Sequence, residues 1–281
     1  MSLIQRGAQR ASNDRRGRFA IVMLLASVFA VGGLVTNPTP TEAAGKKVVI
    51  IVGPAGSATA NYIYNAKKLA SLARSYGAAV YEVYSPYATW SKVKSVAQGA
   101  NVLIYLGHGN GWPSPYGPYQ PYTKDGFGLN ATSGNGNSNV KYWGEYYIDH
   151  YINLAAYAVV ILNRLCYASG NSEWGAANPT KSVAIQRVDS YGAGFFRANA
   201  KAVFAEGISG TGYVLYGLFK TNRTITQIFW SAASATKTYS FGFTSVRAPG
   251  ARALMDPYAP GRYYRSVIGI LGLTATTWRG G

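Results

Sequence analysis

The chain has 281 residues, 48 % hydrophobic and 13 % charged, which supports one sizeable globular core or two small ones. Its net charge of +17 favours anionic partners, but the basic residues are scattered, which argues against a Lys/Arg-clustered nucleic-acid tail. A single cysteine, Cys166, excludes an internal disulfide framework.

The first element is a basic and then apolar leader. Arg15, Arg16 and Arg18 precede an apolar run over 19–35, and the polar stretch TNPTPTEAAG follows. That order predicts a signal peptide over 1–44, cleaved near Ala43 or Ala44, with an uncleaved N-terminal anchor as the alternative. Five of the 27 basic and two of the 10 acidic residues lie in this segment, so the remainder carries +14. The expected location is therefore secreted, with any membrane contact made only through an uncleaved leader.

Residues 45–281 read as one α/β domain. Val48–Val52 is a continuous β-branched run, as expected for a strand buried on both faces. Residues 57–77 place Tyr62, Ala66, Leu69, Leu72 and Ala73 near helical spacing and stop at Gly77. AAVYEVY predicts a second strand, and TWSKVKSVAQGA a short helix capped by Thr89 or Ser91. NVLIYLGHG is the third strand. Residues 109–143 form a Pro/Tyr/Gly-rich insert with no predicted structure. GEYYIDHYINLA predicts a helix and AYAVVILNRLC a fourth buried strand. Residues 182–199 predict a helix broken near Gly192 and Gly194, and AKAVFAEG a fifth strand. GTGYVLYGLFK and TITQIFWSAAS predict further helices. After residue 245 the chain reads as loop-rich, with Pro249, Pro257 and Pro260 barring regular structure.

Alternating strands and helices predict an open, mostly parallel sheet covered on both faces. Ligands bind such sheets outside the carboxyl ends of the strands. His108 follows the third strand and Cys166 the fourth, so the two are expected at one sheet edge on neighbouring strands. A Cys–His pair is a nucleophile and its base, and a nearby imidazole makes the thiolate accessible near neutral pH. The N–H groups of Gly109 and Cys166 are candidate oxyanion donors.

VLIYLGHGNG and AVVILNRLCYASGNS resemble, in that order, the His-Gly and Cys blocks of clan CD cysteine peptidases, the group of caspases, legumain, gingipains and clostripain. FFRANAKAVFAEG is similar to the helix-then-strand segment after the cysteine in bacterial members, and the resemblance covers about residues 48–207. It implies a caspase-like three-layer α/β/α sandwich and peptide-bond hydrolysis through a thioester acyl-enzyme. Catalytic roles fall on His108, Cys166 and Gly109. Leu165 stands where that group usually has a small residue. Members specific for Arg or Lys need a pocket acid, for which Glu173, Asp189 and Glu206 are candidates.

Asn163 and Arg164 are expected to line the substrate pocket beside Glu173. Trp112, with Tyr116, Tyr119 and Tyr122, forms either a lid or a stacking surface for substrate. His150 is read as structural, because on a helix it and Asp149 point about 100° apart. Two histidines and one cysteine are too few for a structural zinc site, GPAG lacks the Lys-Ser/Thr of a P-loop, and no Gly-x-Ser-x-Gly elbow occurs, so no cofactor or metal is expected. The expected partner is a protein or peptide substrate. In the alternative reading the chain is a non-catalytic module whose basic, Tyr-rich face binds an anionic cell-wall polymer. No specific nucleic acid is expected.

Overall fold

The computed structural model describes residues 45–281; the leader expected over 1–44 lies outside the described residues. Five strands form the parallel part of the sheet: β1 (Lys47–Val52), β2 (Ala79–Tyr84), β3 (Val102–Leu106), β6 (Val159–Asn163) and β7 (Ala202–Glu206). They lie side by side in the order β2-β1-β3-β6-β7, with Val52 opposite Leu106 and Leu106 opposite Asn163. β10 (Arg265–Gly269), β9 (Arg252–Met255) and β8 (Phe241–Thr244) continue the sheet beyond β7, each antiparallel to its neighbour.

Both faces of the sheet are apolar, and a helical layer covers each. Val49, Ile51, Leu103, Tyr105, Val160 and Leu162 face α2 (Trp90–Ala97), α3 (Glu145–Tyr151) and α4 (Lys181–Arg197). The alternate residues Val48, Ile50, Val52, Ile104 and Ile161 face α1 (Thr59–Ser75), α5 (Gly212–Lys220), α6 (Ile225–Phe229) and α7 (Ala275–Gly280). A pleated strand sends successive side chains to opposite faces, so a run buried on both sides must be apolar throughout. The result is the expected three-layer α/β/α sandwich with a mostly parallel central sheet. Among the described residues, no helix is long and apolar enough to cross a membrane.

Three local expectations need correction. The 109–143 insert is not structureless. It carries the antiparallel pair β4 (Phe127–Asn130) and β5 (Val140–Trp143). Buried Lys124 gathers the insert by donating to Asn110 Oδ1, Ser114 Oγ and the Tyr116 carbonyl, each at 2.8 Å. Second, α4 runs unbroken through Gly192 and Gly194. A Cβ on Gly194 would stand 2.9 Å from Glu145 Cβ, so this glycine permits close approach to α3 rather than ending the helix. Third, the Pro-rich region after residue 245 holds β9 and β10, because Pro249, Pro257 and Pro260 all fall in the connections between strands.

Buried charge fastens the antiparallel strands to the parallel ones. Arg265 on β10 donates from Nε to Glu206 Oε1 at 2.9 Å and from Nη2 to the Phe229 carbonyl at 2.8 Å, and its Nη1 pairs with Asp256. Tyr213 also donates to Glu206, at 2.6 Å.

Candidate functional site

The His108 and Cys166 loops meet at the carboxyl edge of β3 and β6. The fit is close: a Cβ added to Gly109 would stand 2.1 Å from the Cys166 carbonyl oxygen and 2.9 Å from Tyr191 Oη. Only glycine lets the two loops lie this near. Gly109→Ala is therefore expected to cost about 1–3 kcal/mol through backbone displacement, read as a lower urea midpoint with unchanged slope.

The histidine loop is held from below. Buried Tyr105 shares its one hydroxyl proton between the Gly128 carbonyl at 2.8 Å and the His108 carbonyl at 3.0 Å, and accepts from Gly128 N–H at 2.9 Å. Tyr191 accepts from Asn110 N–H at 3.1 Å. Asp125, fully buried beneath, accepts from Trp112 N–H at 2.9 Å, and desolvation pushes its carboxyl pKa up to about 7.

The cysteine turn is strained. Arg164 (φ 64°) and Tyr167 (φ 70°) bracket Leu165 and Cys166 in the left-handed region, which costs a bulky residue on the order of 1–3 kcal/mol. Arg164 N–H donates to the Glu206 carbonyl at 2.7 Å, and Ala168 N–H to that of Cys166 at 2.9 Å. Leu165 is buried in the core, which explains an apolar residue before the cysteine. Among the described residues, the N–H groups of Gly109 and Cys166 donate to no acceptor.

Cys166 is half-buried in the wall of a cavity of about 590 Å3, which is also lined by Tyr62, Arg164, Glu173, Arg262 and Tyr264. Desolvation and the Glu173 carboxylate push its thiol up to about 11, against smaller downward pulls from the Trp174 N–H and Arg187. Desolvation first, and the acid second, therefore work against the thiolate expected near neutral pH. His108 moves the other way. Desolvation holds the imidazole below its ordinary range, against an upward pull from Glu173, which favours the neutral ring of a proton acceptor. Glu173 accepts from Tyr116 Oη at 2.7 Å and from Tyr167 Oη at 2.8 Å. Glu173→Gln removes a negative charge that disfavours the thiolate. It is expected to move the pH midpoint of Cys166 alkylation downward and to raise labelling at neutral pH roughly three- to tenfold.

Other sequence candidates lie elsewhere. Trp112 borders a neighbouring cavity of about 520 Å3 with Tyr119, Ile185 and Gln186, not the one holding Cys166. Asn163 is buried and donates to the carbonyls of Glu206 and Ser209 at 3.0 and 2.8 Å. Asp189 accepts from Ser245 and from Val246 N–H, and Glu206 is held by Arg265. His150 lies on α3, stacked on Tyr146 with ring centroids 4.1 Å apart and Nδ1 2.9 Å from the Tyr146 carbonyl. Asp149 comes within 3.7 Å of that nitrogen but is taken by Arg197 Nε at 2.8 Å.

Arg187 was not anticipated. It donates to the carbonyls of Pro113 and Asn171, both at 2.8 Å, and lies 4.7 Å from the centre of the Tyr167 ring. It thereby fixes the wall of the Cys166 cavity. Its signal in the sequence is a cation inside the apolar stripe Ala184, Val188, Tyr191 and Phe195 of α4.

Comparison of the chain with protein-family models, curated proteins and solved structures finds no match.

Proposed function

We propose that this chain is an exported cysteine endopeptidase acting through Cys166 and His108. One observation carries the reading: Gly109 packs against the Cys166 carbonyl, so the histidine and cysteine loops meet, and Cys166 itself lies in the wall of a cavity. Cys166 Sγ attacks the substrate carbonyl carbon as its proton passes to neutral His108. The free N–H groups of Gly109 and Cys166 supply the donors for the resulting oxyanion. His108 then returns the proton to the departing amine, leaving a thioester. Water, deprotonated by the same imidazole, hydrolyses the thioester and restores the thiol. The leader expected at the amino terminus supports export.

The thiol at about 11 favours a second reading, in which the cavity is not catalytic. Then the basic surface and exposed Tyr87, Tyr116, Tyr122 and Tyr258 would bind an anionic cell-wall polymer. Mixing the chain with activated peptide esters separates the two. A burst of leaving group matched to a +acyl mass on the Cys166 peptide is expected of the peptidase. Absence of any acyl adduct, with salt-sensitive retention on anionic polymer, selects the binding module.

A further inference from the structure

A further cavity, of about 480 Å3, lies at the amino ends of β6 and β7, opposite the edge that carries His108 and Cys166. Tyr157 contributes from just before β6, Lys201 from just before β7, and Ile270 from just after β10. Two backbone bonds fix this arrangement. Lys201 N–H donates to the Ala158 carbonyl, and Ile270 N–H donates to the Lys201 carbonyl, both at 2.8 Å. Phe196 and Leu273 extend the wall, which is mostly apolar. Ile270 remains 43 % exposed there, so the fold itself leaves apolar area uncovered.

The charged lining is of one sign. Arg197, Lys201 and Arg247 border the cavity, and among the described residues no acid does. The arginines are already matched: Arg197 Nε meets Asp149 and Arg247 Nη2 meets Glu145, each at 2.8 Å. Lys201 is left over. It is half-buried, and among the described residues its ammonium forms no ion pair.

Ligand cavities of about 300–1,000 Å3 are mostly apolar, with a few polar groups that fix orientation. A neutral apolar ligand would cover this wall and leave the ammonium unmatched. A small inorganic anion would do the reverse. One uncompensated positive charge suits a monoanion, which favours a carboxylate over a phosphate monoester carrying about −1.5 to −2. We infer that this cavity binds a single-chain carboxylate amphiphile, with its tail against Phe196, Ile270 and Leu273 and its head on Lys201. The site is separate from Cys166 and does not rest on the peptidase reading.

Equilibrium dialysis of the purified protein against decanoate tests the assignment. One equivalent is expected to bind, with decanol and decyltrimethylammonium each at least about tenfold weaker. Each methylene removed from the chain should weaken binding roughly three- to fourfold. These comparisons need only the wild-type protein, so they hold whether or not a variant folds. Lys201→Met should weaken decanoate about tenfold and leave decanol unchanged, Lys201→Arg should restore most of the loss, and Ile270→Asn should weaken both ligands. Lys92→Met, at an exposed lysine on α2, should change neither. Equal binding of the three headgroups, a preference for the cation, or a loss in Lys92→Met as large as in Lys201→Met overturns the inference. Retention on phosphatidylglycerol vesicles with no decanoate bound also overturns it, by assigning this face to a membrane surface.

Discussion

His108→Ala is expected to lower kcat/KM for peptide hydrolysis by about 10²–10⁴, and Cys166→Ala to abolish the acyl-enzyme. The shape of the pH profile is the sharper readout. At pH 7 a thiol of pKa about 11 is ionised in on the order of one molecule in 10⁴. In the proposed peptidase, attack would therefore depend on proton removal during the reaction, not on a standing ion pair. In wild type the rate should rise as His108 loses its proton and then level off. Because burial holds that imidazole below its ordinary range, the plateau should be reached by neutral pH. Without the imidazole, only direct ionisation of the sulfur remains. The His108→Ala rate should then climb about tenfold per pH unit from pH 7 toward the thiol pKa. A parallel plateau in both proteins would remove His108 from the reaction.

Arg265→Met is expected to destabilise the fold by about 3–5 kcal/mol, because it strands the buried carboxylates of Glu206 and Asp256. Domains of this kind have a total stability of about 5–15 kcal/mol, so the loss is a large share. Urea denaturation followed by circular dichroism measures it as a fall in midpoint. The triple variant Arg265→Met, Glu206→Gln, Asp256→Asn should lose less, since no uncompensated charge is left buried. Equal losses in the two would mean that packing of the Arg265 stem, rather than its charge, is what matters.

The parallel half of the fold was legible because burial on both faces forces its strands to be continuous apolar runs, as at Val48–Val52 and Val159–Leu162. Strand order then located the edge carrying His108 and Cys166. The antiparallel half was not legible. Its strands are short, prolines crowd the connections, and Arg265 looks like a surface residue until Glu206, 59 positions earlier, is brought beside it. Gly192 and Gly194 misled for a similar reason: a glycine that ends a helix and one that admits a neighbouring helix read alike. The electrostatics of the site were hidden at longer range. The thiol is raised by desolvation and then by Glu173, which Tyr116 holds from 57 positions away, and no local pattern reports such a contact. Arg164 and Glu173 both line the Cys166 cavity, and that Glu173 has hydrogen-bond partners there is owed to Tyr116 and Tyr167, one of them far off in the sequence.

Tyr105 ties the inserted hairpin to the histidine loop. Its one phenolic group touches the main chain of both His108 and Gly128, so the backbone under the imidazole is coupled to a segment that, in the proposed peptidase, contributes no reacting atom. Lengthening or trimming the hairpin tip, around residues 131–139, would then reposition the histidine loop from a distance, much as a tailpiece sets the tension of a string.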